Sequence, residues 1–146
     1  MTDRPLVTIL IVTYNAERYI AATLQSCLSQ TYQSIEVLIL DNASEDRTIH
    51  LIRSFNDLRI KLRQSQKNIG PYAGLNELLP LAKGSYIAIQ DHDDLWFPEK
   101  IERQVSYLGQ HSEASGCGTL TFYYYEDRQL LILPNNGEVT DFVDHT

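Results

Sequence analysis

Two apolar runs, residues 6–12 (LVTILIV) and 35–40 (IEVLIL), constrain this chain more than any other feature. Both are almost unbroken in aliphatic and β-branched residues. A strand with one wet face alternates apolar and polar positions, whereas a central strand of a parallel sheet is covered on both faces and reads as a continuous run. A third apolar run, residues 86–89 (YIAI), has the same character and predicts another buried, central strand. Between the runs, Tyr19, Ile20, Leu24, Cys27 and Leu28 recur at helical spacing, which predicts an amphipathic helix over about residues 17–29. Ile49, Ile52 and Phe55 mark a second helix. Residues 59–63 (RIKLR) alternate and so predict a strand near an edge. A short helix is expected over residues 73–82, kinked or ended early by Pro80. Pro98 is expected to open a further helix, with Ile101, Val105 and Leu108 facing inward. Residues 119–125 and 130–133, separated by Glu126-Asp127-Arg128, read as a β-hairpin.

Strands alternating with helices imply right-handed βαβ units, hence an α/β fold with a mostly parallel sheet and helices on both faces. Each buried run then ends in polar groups: Thr13-Tyr14-Asn15, Asp41-Asn42-Ala43-Ser44, and Asp91-His92-Asp93-Asp94. In such sheets ligands sit in the crevice beyond the carboxyl ends of the strands. No Gly-x-Gly-x-x-Gly follows the first strand, and Lys83-Gly84-Ser85 has the wrong order for a P-loop.

The 146 residues form one domain's worth of chain, and 43% hydrophobic with 21% charged residues is ordinary for a globular protein. A net charge of −7 argues against nucleic acid as a partner, because phosphate binding needs a basic face. Cys27 and Cys117 lack metal-ligand spacing and fit two buried thiols in a reducing compartment. No apolar run reaches the 18 or so residues of a membrane span, and no signal-peptide core opens the chain. The expected location is cytoplasmic.

The acidic cluster after Gln90 carries the chemistry. A solvated acidic turn is the simplest account of it. Three carboxylates within four residues repel one another, however, and a hard cation among them relieves that repulsion. Mg²⁺ or Mn²⁺ takes one or two protein carboxylates and completes its shell with water and phosphate oxygens, an arrangement Asp91 and Asp93 could serve. An EF-hand starting at Asp91 fails, since Trp96 stands where glycine is needed. A haloacid-type phosphatase shares the paired Asp, but Leu95 stands where it expects Thr or Val.

Val12-Thr13-Tyr14-Asn15, Leu28-Ser29-Gln30-Thr31-Tyr32, Leu40-Asp41-Asn42-Ala43-Ser44, Asn68-Ile69-Gly70, Lys83-Gly84-Ser85-Tyr86-Ile87-Ala88, Asp91-His92-Asp93-Asp94-Leu95-Trp96 and Pro98-Glu99-Lys100-Ile101 occur in that order. In this respect the chain resembles the family 2 glycosyltransferases, inverting enzymes of the GT-A fold, most strongly over residues 4–110. The resemblance implies an enzyme transferring a sugar from a nucleoside-diphosphate sugar to a carbohydrate or lipid-linked acceptor, with Mn²⁺ or Mg²⁺, in the cytoplasm or peripherally at the inner membrane. Thr13, Tyr14 and Asn15 would lie along the nucleotide, and Asp41 or Asn42 would read its base. Lys67, Gly70, Asp91 and His92 would complete the nucleotide-sugar contacts. Asp93 would hold the cation, with Asp91 beside it near the ribose and sugar.

Three departures qualify these expectations. Leu75 stands where many members carry an Arg, and Asp41-Asn42 replaces a frequent Asp-Asp pair. The family's catalytic base lies well beyond the Asp-x-Asp motif, and the chain ends before that distance. Glu126-Asp127 is a tempting pair, but it falls in an expected turn, where acids are ordinary; the turn reading is preferred for Asp127, and the base stays unassigned. The expectation is therefore a single glycosyltransferase-like domain over residues 1–146 without its acceptor-binding half. Its alternative is a nucleotide-sugar-binding module without turnover.

Overall fold

The two long apolar runs become β1 (Val7–Thr13) and β2 (Ile35–Asp41), parallel and in register from Val7 opposite Ile35 to Thr13 opposite Asp41. β3 (Ile60–Gln64) and β4 (Tyr86–Ile89) pair parallel on either side, giving the strand order β3-β2-β1-β4. All of β2 is buried, and in β1 only Val12 is partly exposed, as continuous apolar runs require. The computed structural model describes residues 4–125 and 130–132. The chain divides into two compact units, Met1–Ile101 and Glu102–Thr146.

Side chains alternate along a strand, so each run feeds two faces. On one face Leu10, Leu38 and Leu40 bury against Leu78 of α3 (Pro71–Leu78), with Val12, Ile69 and Leu75 packed around them. Gly74 lets α3 come this close: a Cβ there would lie 2.8 and 2.9 Å from the two γ-carbons of Val12. On the other face Ile9, Ile11, Val37 and Ile39 are fully buried. That face falls to α1 (Ile20–Leu28) and α2 (Thr48–Ser54), which pack on each other and bury Ile20, Leu24, Cys27 and Ile52. The chain thus winds outward from β1 through β2 to β3, then crosses by α3 to β4 on β1's other side. β1 and β4 flank the switch point, where a doubly wound sheet opens its crevice.

The amino-terminal end of the sheet is pinned by a buried carboxylate inside the second apolar run. Glu36 accepts hydrogen bonds from Thr8 Oγ1 at 2.7 Å and Lys83 N–H at 2.8 Å, and it pairs with Lys61. Burial pushes its carboxyl up, but the bonds from Lys61, Thr8 and Lys83 outweigh this and hold it below its ordinary value of 4.5. Thr8 Oγ1 also accepts from Gly84 N–H, in a contact where a Cβ on Gly84 would stand 2.5 Å from the Thr8 nitrogen.

Several sequence expectations hold closely. β3 is an edge strand, and Pro80 ends α3, after which Leu79–Leu81 form a single 3₁₀ turn. Two need correction. β4 is neither central nor buried: it is the other edge of the four-stranded sheet, with Ile87 and Ile89 41% and 59% exposed. Its apolar run is as continuous as the others, but continuity cannot tell a two-faced strand from an edge. α4 (Lys100–Gln110) begins two residues after Pro98, whose carbonyl accepts from Thr31 N–H at 2.8 Å.

In the second unit the later turns of α4 carry Tyr107 stacked on His111 at 4.1 Å, and Gln104 donates to the carbonyl of Cys117 at 3.2 Å. β5 (Tyr123–Tyr125) and β6 (Leu130–Ile132) pair antiparallel. Glu126-Asp127-Arg128, and with them the candidate base Asp127, lie outside the described residues.

Candidate functional site

Thr13 closes β1 and Asp41 closes β2, side by side in register, and both are fully buried. Asp41 Oδ2 accepts from Ser44 N–H at 3.0 Å. Asp41 Oδ1 and Thr13 Oγ1 are buried without a hydrogen-bond partner among the described residues. Leaving a buried polar atom unsatisfied costs about 1–3 kcal/mol, more for a charged group. Two such atoms stand at adjacent strand ends, where an open α/β sheet places its ligand crevice.

The loops after these strands are locked together around that place. Asn15 Oδ1 accepts from Glu45 N–H and Ser44 Oγ from Asn15 N–H, both at 2.9 Å. Ala16 N–H donates to Thr48 Oγ1 at 2.7 Å, while Glu17 N–H donates to Asp46 and Arg47 N–H to Glu17, each at 3.0 Å. Asn15 and Ala43 hold positive φ angles of 47° and 65° within this lattice, left-handed conformations that stay populated only where the surroundings impose them. Tyr14 projects outward, 42% exposed. Asn42 is buried with its side chain engaged: its amide nitrogen donates to Asn68 Oδ1 at 2.8 Å and its Oδ1 accepts from Ile69 N–H at 2.9 Å, bracing the third loop. That loop continues through Gly70, whose φ of 84° precedes Pro71 at the start of α3. Lys67 is exposed in the same loop.

At the switch point a pocket of about 120 Å³ is lined by Val12 of β1, Pro71 and Leu75 of α3, and the end of β4 from Ile89 to Asp93. It is smaller than the roughly 300 Å³ or more of a typical small-molecule pocket. His92 Nδ1 lies 3.3 Å from the Val12 carbonyl. Asp91, Asp93 and Asp94 all lie on the surface. Although Asp94 is exposed as a residue, partial desolvation of its carboxyl, and then the negative charges of Asp91 and Asp93, push that carboxyl above its ordinary value of 3.8. The repulsion expected of the cluster is therefore present. Among the described residues no group of three or more His, Cys, Asp and Glu side chains is arranged to hold a metal by itself. The donor set fits a hard cation that takes one or two carboxylates here and its other ligands from a bound diphosphate and water.

Sequence reasoning overlooked what carries this acidic loop. Thr23 and Ser26 of α1, with Gln30 just past its end, recur at helical spacing on one side of a helix read only for its apolar core. Thr23 Oγ1 donates to the His92 carbonyl at 2.9 Å, Ser26 Oγ accepts from Trp96 N–H at 3.2 Å, and Gln30 Nε2 donates to the Phe97 carbonyl at 2.8 Å. The spacing of Thr23, Ser26 and Gln30 was a signal that could have revealed them.

Comparison with known proteins shows the family and the fold. A family model described as "Glycosyl transferase family 2" matches residues 8–136. The chain is 36% identical over 143 residues to the UDP-Glc:alpha-D-GlcNAc-diphosphoundecaprenol beta-1,3-glucosyltransferase WfgD of Escherichia coli, covering 97% of this chain and 52% of WfgD. It is 34% identical over 139 residues to an uncharacterized glycosyltransferase of Haemophilus influenzae, covering 94% and 56%. The chain spans about half the length of the curated relatives it matches. Among solved structures, TarS 1-349 of S. aureus in complex with UDP-GlcNAc is 28% identical with a TM-score of 0.70, over 73% of this chain and 32% of that one. The mannosyltransferase PcManGT of Pyrobaculum calidifontis, in complex with GDP-Man and Mn2+, is 32% identical with a TM-score of 0.68, over 73% and 33%.

Proposed function

Because the chain belongs to glycosyl transferase family 2, we propose that residues 4–101 bind the nucleoside-diphosphate sugar donor of a metal-dependent, inverting sugar transfer. The observation that carries this reading is the pair of orphaned buried atoms, Thr13 Oγ1 and Asp41 Oδ1. The imide edge of uracil or thymine offers an N–H flanked by carbonyl oxygens, so it can donate to Asp41 Oδ1 and accept from the Thr13 hydroxyl. Guanine offers an N–H beside a carbonyl in the same way. Adenine has no ring N–H on that edge, so it can meet the pair only through its exocyclic amine and bare N1, with donor and acceptor displaced, and should fit less well.

Tyr14 and Asn15 then flank the nucleotide, Lys67 and Gly70 approach it from the third loop, and Asn42 supports the base pocket rather than reading the base. Asp93 holds the cation, with Asp91 and His92 facing the ribose and sugar. A divalent cation bound there neutralises charge developing on the diphosphate leaving group as the anomeric bond breaks. Mn²⁺ is the preferred ion in this reading, supported by the Mn2+ in PcManGT. The acceptor is a carbohydrate or a lipid-linked sugar, supported by the diphosphoundecaprenol acceptor in the name of WfgD. The work then takes place in the cytoplasm, against the inner membrane. Family membership removes the ground for a phosphatase.

A thermal-shift panel of UDP, dTDP, GDP and ADP with and without Mn²⁺ tests this. A ligand at 100 times its dissociation constant adds about 2.7 kcal/mol to stability. At least one of the first three should raise the melting temperature only with Mn²⁺, and ADP should not. An equal or larger shift from ADP would contradict the assignment of Asp41 and Thr13.

A further inference from the structure

From the polar stripe of α1 we infer that Thr23, seconded by Ser26 and Gln30, is a positioning residue that fixes the acidic loop in the geometry the cation requires. The inference rests on the donor-binding reading above and deepens it. Residues 90–99 contain no helix or strand, so their shape is set by the bonds they make. Those bonds run through backbone atoms. The Thr23 hydroxyl takes the His92 carbonyl on one side of Asp93, and the Ser26 hydroxyl takes the Trp96 amide on the other. Gln90, 3% exposed at the base of the loop, donates to the Asp94 carbonyl at 2.7 Å, and Asp94 N–H turns back to the Asp91 carbonyl at 3.3 Å. With its backbone held at both sides, the loop presents the Asp91 and Asp93 carboxylates outward.

Thr23 makes its bond to the loop at the expense of its usual local one. A threonine within a helix commonly returns its hydroxyl to a carbonyl one turn back. Fully buried Thr23 leaves the Tyr19 carbonyl to its own backbone N–H and sends its hydroxyl across to His92. Ser26 donates back to the Thr23 carbonyl at 2.8 Å, which orients its oxygen to receive Trp96 N–H. Gln30 is fully buried with its whole amide engaged: Nε2 donates to the Ser26 and Phe97 carbonyls, and Oε1 accepts from Ile101 N–H at 3.0 Å. Groups hydrogen-bonded directly to a metal-ligating side chain typically matter about 10–100-fold in metal affinity, and support through the backbone of neighbouring residues should fall at the lower end of that range.

Thr23→Val and Thr23→Ser separate positioning from packing, since valine keeps the methyl group and loses the hydroxyl, and serine does the reverse. In the metal-free protein, hydrogen exchange at the Asp94 and Trp96 amides should quicken about fivefold or more in Thr23→Val, the effect of one lost hydrogen bond. It should stay near wild type in Thr23→Ser, with the β2 amide of Val37 unchanged in both. The Mn²⁺ dissociation constant measured with UDP or GDP should rise about tenfold in Thr23→Val and remain close to wild type in Thr23→Ser, even where the lost methyl lowers the melting temperature. Loop exchange and Mn²⁺ affinity that follow melting temperature rather than the hydroxyl would overturn the inference. If the wild-type protein binds no Mn²⁺ with any nucleoside diphosphate, the donor-binding reading falls, while the exchange rates still decide whether the stripe holds the loop.

Discussion

Single residues carry the clearest marks of function here, and they differ in how far the sequence announces them. Thr13 and Asp41 were legible as polar groups at the ends of apolar runs. That each keeps an unpartnered buried oxygen was not, because satisfaction depends on which loops close over them. Thr23 and Gln30 were hidden for a related reason: a polar residue near a helix reads as surface until the fold puts a loop against it. Asp94 gives a prediction at this scale. Its carboxyl binds a proton more readily in the folded protein than in the unfolded chain, through burial and the charges of Asp91 and Asp93. Its ionised form therefore lowers stability at neutral pH, and that loss is relieved as pH falls through the raised value. Asp94→Asn should melt higher than wild type at pH 7, with the difference gone below the ordinary value of 3.8, as differential scanning calorimetry across pH would read. Cys27 gives another. Burial pushes its thiol up to about 12, so it should resist alkylation in the native state and react only on unfolding.

At the scale of elements, periodicity located β1, β2, the edge strand β3 and the early end of α3 at Pro80 because each has a local cause. The edge position of β4 has none, since it is decided by which strand stands next to which. Gly74 tests the packing of α3. A Cβ there meets Val12 and Leu40 at 2.8–3.1 Å, so overpacking of about 1–3 kcal/mol should outweigh the roughly 1 kcal/mol that alanine contributes to a helix. Gly74→Ala should lower the melting temperature and weaken donor binding as well, because Leu75 of the same helix lines the pocket. The Glu36 pin tests the other end of the sheet. Its carboxyl is held below 4.5, so its contribution is complete above that pH and is lost as pH falls through the folded value. Glu36→Gln should be less stable than wild type at neutral pH, with the gap narrowing in acid melts below pH 4.5.

For the molecule as a whole, the doubly wound order β3-β2-β1-β4 sets the unpartnered Thr13 and Asp41 oxygens at one pair of strand ends and the acidic loop at the adjoining switch point. Family, fold class and the acidic motif were legible in the sequence because they rest on residue order along one chain. The supports behind the motif showed only as a polar spacing along α1 and their partners not at all, since the bonds arise between segments about 70 residues apart, as Thr23 and His92 are. The central claim is that a nucleoside diphosphate and a divalent cation bind together through Asp93. Isothermal titration of UDP and GDP into wild-type protein and Asp93→Ala, each with and without Mn²⁺, tests it most directly. Wild type should bind one of them tightly only when Mn²⁺ is present. Asp93→Ala should lose that Mn²⁺-dependent binding while melting no lower than wild type, because the substitution also relieves repulsion within the cluster. Unchanged nucleotide affinity in Asp93→Ala would contradict the account.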